Sequence, residues 1–327
     1  MNTAIDLGYY KTKGIDTGGQ PFSFPSITGT PDKSRFSLNG HDNGIILTKP
    51  YHKLVGENVE DQSLFAVRWE DRDWIRTDDY AALLYAAMSE MTTSFHINVN
   101  LVTGLPVRFY EQDRDYLRDR LLGQHQLHRE GRKPQTININ RVKVVPQNVG
   151  AYLSVALDDR GRQAVDADFI SGRVGVIDIG SLTTNYLVMS KFTELNQEST
   201  SIEAGGWKLA RQVRQALGGL CPDLTIKDHE LMGAIRRGFV YYYGQRVDLA
   251  DIITQAADNL EAQIIATARD RWGKGAHLHT ILITGGGALL LGQRILRHFP
   301  HARLVDDPVF ANVRGYWKLG QRPGVWG

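Results

Sequence analysis

The sequence predicts an α/β protein made of two similar halves, each a sheet with helices on its faces. Two observations carry this. The chain opens with a short apolar strand, an Asp-x-Gly turn and a second strand (Thr3–Asp6, then Lys11–Asp16). The same pattern returns about half the chain later in RVGVIDIGSLTTNYLVMS, where Asp178 and Gly180 take the places of Asp6 and Gly8. Helices and a further buried strand follow each copy: INVNLVTGLPV (Ile97–Val107) in the first half and HTILITGGG in the second. Strand–helix alternation of this kind packs helices on sheet faces.

In the first half, residues 18–75 are rich in Gly, Pro and polar residues with short alternating stretches such as SRFSLNG and SLFAVRWED, which predict a small β-rich insertion. TDDYAALLYAAMSEM is a helix with Thr77 or Asp78 as its N-cap. A mixed-charge amphipathic helix is expected over Tyr110–Leu122, a strand in TININRVKVVPQ and a helix in NVGAYLSVAL. In the second half, helices are expected at Trp207–Leu217, Asp228–Arg237 and Leu249–Trp272. In the last of these, Ile252, Ile253, Ala256, Leu260, Ile264 and Ile265 recur at helical spacing. ALLLGQRILRHF and DPVFANVRGYWKLG are the closing helices.

At 327 residues the chain exceeds one ordinary core, so two domains are expected. A hydrophobic share of 42% with 23% charged residues is that of a globular protein rather than a disordered one. The net charge of +2 argues against a broad nucleic-acid footprint. The single cysteine, Cys221, excludes an internal disulfide, fits a reducing cytoplasm and is expected to be a small buried side chain. The first strand begins by residue 3, which leaves no room for a signal peptide. The most apolar run, Ile281–Gly292, is shorter than the roughly 20 residues a bilayer needs. A soluble, cytoplasmic chain without membrane contact is therefore expected.

Glycine allows a tight turn that gathers backbone N–H groups into a nest for phosphate, and a strand-end aspartate offers hard oxygens to Mg²⁺ through its waters. One Asp-x-Gly is an ordinary hairpin corner, but two at equivalent places suggest a pair of turns that clamp a nucleoside triphosphate. Gly285, Gly286 and Gly287, between a buried strand and a helix, cost conformational entropy; a bare turn needs one glycine, so close approach of a ligand is the expected reason. Leu290 stands where a G-x-G-x-x-G fingerprint has its third glycine, and no P-loop sequence is present.

Asp6-x-Gly8 with Lys13, Asp178-x-Gly180 with Thr183-Thr184, and Gly285–Gly287 resemble the phosphate-1, phosphate-2 and adenosine motifs of the actin-like ATPase superfamily. VVPQNVGAYLS and DPVFANVRGY resemble its two connecting segments, so the resemblance spans both ends and the middle of the chain. FPS (Phe24–Ser26), VTGLPV and FANVRGY resemble ParM-type plasmid-segregation actins and their archaeal relatives. The resemblance implies an actin-like (ribonuclease H-like) fold of duplicated domains with a nucleotide cleft between them. Domain I would comprise residues 1–147 and 305–327, and domain II residues 148–304 with an insertion at about 195–250. It implies that Asp6 and Asp178 hold Mg²⁺ through water and that Lys13 reaches the β/γ-phosphates. The backbone of Gly8, Tyr9 and Tyr10 and of Gly180, Ser181, Leu182 and Thr183 would cradle the phosphates, and Gly285–Gly287 would lie against the adenosine. Gln147 would orient the attacking water, and residues near Lys227–Glu230 would face the base.

The function so implied is an ATPase, using ATP or GTP with Mg²⁺, that polymerises with itself and segregates plasmid DNA through an adaptor, without direct DNA contact. The alternatives are a non-polymerising nucleotide-binding scaffold and a small-molecule kinase of the same superfamily. Two departures stand out: Tyr9 and Tyr10 replace small residues, and Asn185 replaces the acid that often follows the Thr pair. His125/His128 and His277/His279 are expected to be surface histidines rather than metal ligands. Arg114–Lys133 is expected to be a solvated helical face, or a filament contact, and Tyr241–Tyr243 a packing cluster.

Overall fold

The computed structural model describes residues 1–31, 44–63 and 65–326; SRFSLNG lies outside these, as does Leu64 of SLFAVRWED. The chain forms two compact units, Met1–Asp166 with Phe310–Gly327, and Ala167–Val309.

Unit 1 contains β1 (Asn2–Leu7), β2 (Lys11–Ile15), β3 (Pro21–Pro25), β4 (Thr28–Gly29), β5 (Ile45–Lys49) and β6 (Lys53–Val55). After these come α1 (Val59–Gln62), a 3-10 turn (Arg72–Arg76), α2 (Asp78–Met91), β7 (His96–Leu105), α3 (Tyr110–Leu121), β8 (Gly123–Arg129), β9 (Gln135–Pro146) and α4 (Val149–Ala156). Among the described residues its sheet runs β3-β2-β1-β7-β9-β8-β5-β6-β4. The β1–β2 hairpin is antiparallel, while β1, β7 and β9 are mutually parallel neighbours. Alternate strand residues go to opposite faces. Ile5, Leu101 and Ile137 join a core with α2, whereas Ala4, Val102 and Val145 pack with Val313 and Tyr316 of the C-terminal helix (Ala311–Gln321). Thr77 is the N-cap of α2, accepting from the Tyr80 N–H at 3.2 Å, and the helix is buried nearly all round.

The boundary between units falls later than expected, because α4 packs on the C-terminal helix rather than opening the second unit. A Cβ on Gly315 would lie 1.8 Å from the Gly150 carbonyl oxygen, so only glycine permits this crossing. The Asn312 Oδ1 accepts from the Ala151 N–H at 3.0 Å, and Lys318 donates to the carbonyls of Ser154 and Leu157 at the end of α4.

Unit 2 contains α5 (Ala167–Ser171), β10 (Val174–Ile179), β11 (Thr184–Ser190), β12 (Thr193–Glu194), β13 (Thr200–Ile202), α6 (Gly206–Leu220) and α7 (Asp228–Arg237). The rest is β14 (Phe239–Tyr242), β15 (Gln245–Asp248), α8 (Ala250–Trp272), β16 (Thr280–Thr284), α9 (Ala288–Leu296) and β17 (Ala302–Leu304). The order β12-β11-β10-β16-β17 repeats that of β3-β2-β1-β7-β9, with the same antiparallel hairpin and the same parallel neighbours. All six residues of β10 are buried, as expected of a strand covered on both faces.

Two expectations need correction. Arg114–Lys133 is not one helical face: the helix ends at Leu121, and Gly123, at φ 105°, starts β8, which pairs with β9 and buries Leu127. Tyr241 and Tyr243 do not pack into a core: they are 62% and 80% exposed on the β14–β15 hairpin, where Tyr241 meets only Phe239 edge-on and Tyr243 lies against Tyr242 among the described ring contacts. No helix among the described residues is long and apolar enough to cross a membrane.

Candidate functional site

In unit 1, hairpin register sets the first group of residues. Asp6 stands directly opposite Lys13 across β1–β2, which places both side chains on one face. Lys13 Nζ reaches Asp6 Oδ2 at 2.7 Å, and Asp6 itself is fully buried. Gln147 follows β9 and lies two residues beyond Val145, which joins the same cluster as Ala4. Its Nε2 donates to Asp6 Oδ1 at 2.8 Å. Its backbone is held at both ends: its N–H donates to the Leu105 carbonyl at 2.7 Å, and its own carbonyl accepts from the Tyr316 hydroxyl at 2.7 Å. Asp6 near the end of β1, Lys13 in the middle of β2 and Gln147 just beyond β9 thus converge. The Gly8 carbonyl accepts from Ser26 Oγ at 2.6 Å, and Ser26 Oγ in turn lies 3.0 Å from Thr12 Oγ1. Ser26 belongs to FPS, which the motif reading quoted without giving it a role, and Thr12 was not singled out; both support the turn.

In unit 2 the second turn has the same construction. Asp178, buried at the end of β10, stands opposite Asn185, which therefore occupies the position of Lys13. Asn185 accepts from Ser201 Oγ at 2.8 Å. The Gly180 N–H donates to the Thr183 carbonyl at 2.9 Å, and the Thr184 hydroxyl donates to the Ala204 carbonyl. The start of α6 closes on the turn, with the N–H groups of Gly206 and Trp207 donating to the carbonyls of Gly180 and Ser181 at 3.0 and 2.8 Å. A Cβ on Gly205 would lie 2.4 Å from the Ser181 carbonyl oxygen. The pair Gly205-Gly206 was the available signal for this contact, and sequence reasoning passed over it.

The triple glycine belongs to the same group. The Gly287 N–H donates to the Ile179 carbonyl, and both the Gly285 N–H and the Thr284 hydroxyl donate to the Pro308 carbonyl. A Cβ on Gly285, at φ 88°, would lie 2.4 Å from Asp178 Oδ1, and one on Gly287 would lie 2.4 Å from the Ile179 side chain. The close approach that requires these two glycines is therefore to β10 of the protein itself. Gly286 differs, since a Cβ there would meet nothing within 4 Å. It is the glycine with open space for a ligand.

Near the second insertion, Glu230 accepts from the Lys227 N–H at 2.8 Å, closing the first turn of α7. His125 contacts Tyr85 and the Leu121 carbonyl, and His277 contacts Glu198. Among the described residues no three His, Cys, Asp or Glu side chains gather as a metal centre. One buried carboxylate per turn still suits Mg²⁺, which keeps most of its waters and takes one or two carboxylates plus phosphate oxygens.

Residues 4–150 match the family of actin-like proteins, N-terminal domain, and residues 176–297 match the archaeal actin homologue MreB-like C-terminal family. No curated protein matches the chain in sequence. Among solved structures, a non-polymerisable quadruple mutant of pCBH ParM shares 23% identity at a TM-score of 0.82, over 98% of both chains. The archaeal actin homologue Ta0583 shares 20% at a TM-score of 0.82, over 98% of this chain and 99% of its own. A 15-stranded ParM filament from Clostridium botulinum shares 24% at a TM-score of 0.81, over 98% of both. With the repeated strand order and paired Asp-x-Gly turns, these matches identify the chain as an actin-like protein, with an actin-like N-terminal domain and an MreB-like C-terminal one.

Proposed function

We propose that the chain is an ATPase that binds Mg²⁺–ATP with both Asp-x-Gly turns, assembles into filaments and moves plasmid DNA through an adaptor. The observation that carries this reading is the group formed by Asp6, Lys13 and Gln147. A fully buried carboxylate is tolerable only with its charge answered, and Lys13 and Gln147 answer it. Lys13 would exchange Asp6 for phosphate oxygens on nucleotide binding, which releases an Asp6 oxygen toward the waters of Mg²⁺. The metal would supply charge neutralisation at the phosphates. With Gln147 Nε2 committed to Asp6, its Oε1 is left as the acceptor that orients a water. Asp178 would answer the metal from the second turn, and the backbone of Gly180–Thr183 would hold phosphate. Open space above Gly286 suits the nucleoside.

An ADP complex has been solved for the archaeal actin homologue Ta0583, and this favours an adenine nucleotide. The ParM filament supports assembly as the output, and the net charge of +2 favours an adaptor over direct DNA contact. Asp178→Ala tests the metal role. Mg²⁺-dependent phosphate release should fall about a hundredfold or more, with the circular dichroism spectrum unchanged. Undiminished release from the folded variant would contradict the assignment.

A further inference from the structure

Tyr9 and Tyr10 are too large for a turn that must lie against phosphate, unless something holds their rings away from it. The segment between β6 and α2 does this. The Tyr9 ring stacks on Trp74, centroids 5.0 Å apart and planes 24° apart, and Trp74 meets Tyr80 edge-on at 4.9 Å. The Arg68 guanidinium lies 5.0 Å over the Tyr10 ring and donates through Nη1 to the Tyr10 carbonyl at 3.2 Å. That carbonyl also accepts from the Ser26 N–H at 2.9 Å. Arg68 Nη2 pairs with Glu60 at 3.1 Å, and only 9% of the Arg68 side chain is exposed. Burying a guanidinium is costly, so its placement behind this turn calls for an account. Trp74 is itself fixed, since Arg120 of α3 donates to the carbonyls of Ile75 and Thr77 on either side of the 3-10 turn's end.

We propose that Arg68 and Trp74 are positioning residues of the first phosphate turn. They pin the two tyrosine rings and the Tyr10 carbonyl, so the turn meets phosphate with its backbone and without the side-chain hydroxyl that a small polar residue would supply. The β-rich segment thereby sets the affinity for the phosphate end of the ligand. This rests on the nucleotide reading above, and two readouts separate the claims.

The first is amide hydrogen exchange at Gly8–Lys11 in the nucleotide-free protein. Arg68→Gln and Trp74→Leu should each raise exchange there about tenfold, leaving β10 and β16 unchanged. Trp74→Phe, which keeps a stacking ring, should restore most of the protection. The second readout is the affinity of each variant for ATP and for adenosine. Arg68→Gln should weaken ATP binding about tenfold while leaving adenosine binding as in the wild type. Arg68→Lys, which keeps the charge but not the fork, should fall between. Unchanged exchange in both variants overturns the proposal, and so does an equal loss for ATP and adenosine. A wild type that binds neither ligand overturns the nucleotide reading, while the exchange data still decide whether Arg68 and Trp74 hold the turn.

Discussion

Asp6 has no exposed surface, yet each of its oxygens has a partner, Lys13 on one and Gln147 on the other. On the proposed reading the Gln147 amide orients a water rather than acting as a base, so it would add little to ground-state affinity. Gln147→Ala should therefore bind ATP nearly as well as the wild type and hydrolyse it about ten- to a thousandfold more slowly, the range for losing one transition-state contact. Binding calorimetry and single-turnover phosphate release separate the two effects. At this scale much was legible. Asp-x-Gly spacing placed both acids, and hairpin register then requires Lys13 to face Asp6 and Asn185 to face Asp178. Gly285 and Gly287 were misjudged in motive, because their neighbour is β10, which lies far earlier in the chain and is brought alongside only by the parallel β10–β16 pairing. Arg68 and Trp74 gave no usable sequence signal, since VRWEDRDWIR holds three arginines and two tryptophans and nothing local tells which of them reaches the turn.

Helices and long strands followed from periodicity and caps, α7 to the residue, because apolar spacing and Gly238 at its C-terminal end specify them locally. Strand β8 did not. Its charged neighbours imitate a helix, and only pairing with β9 makes Gly123–Arg129 extended. The same holds for β14–β15, whose exposed tyrosines carry no burial signal. Asp79 shows how one side chain joins elements that sequence leaves separate. It accepts from Thr28 of β4 at 2.6 Å, Lys53 of β6 at 2.9 Å and the Trp69 indole at 2.9 Å. Burial alone would raise its carboxyl pKa, but the donors of Thr28, Lys53 and Trp69 outweigh burial and hold it below the ordinary carboxylate value. A folded-state pKa below the unfolded one gives stability that is present above the unfolded value and lost as pH falls through the folded one. Asp79→Asn should thus lower stability by about 3 kcal/mol at pH 7. The gap to the wild type should narrow as pH drops below about 4. Urea midpoints across that range check this, and a gap independent of pH would show that the ionised carboxylate is not what stabilises the fold.

The molecule as a whole is one architectural idea used twice, a hairpin with Asp-x-Gly at its corner and two parallel strands beyond. Duplication was the most legible feature of the sequence, because it depends on short local patterns that recur. The division into units was less so: α4 reads as a helix from its own residues, but its partner is the C-terminal helix some 160 residues away. On the proposed reading, nucleotide turnover at these turns times assembly. Light scattering and phosphate release followed together in one sample, for the wild type and Gln147→Ala with Mg²⁺–ATP, test it most directly. Wild-type scattering should rise on ATP addition and decay as phosphate is released, while the variant's scattering should rise and persist. Wild-type-like decay in a variant that releases no phosphate would contradict it, as would a wild type that scatters with no nucleotide.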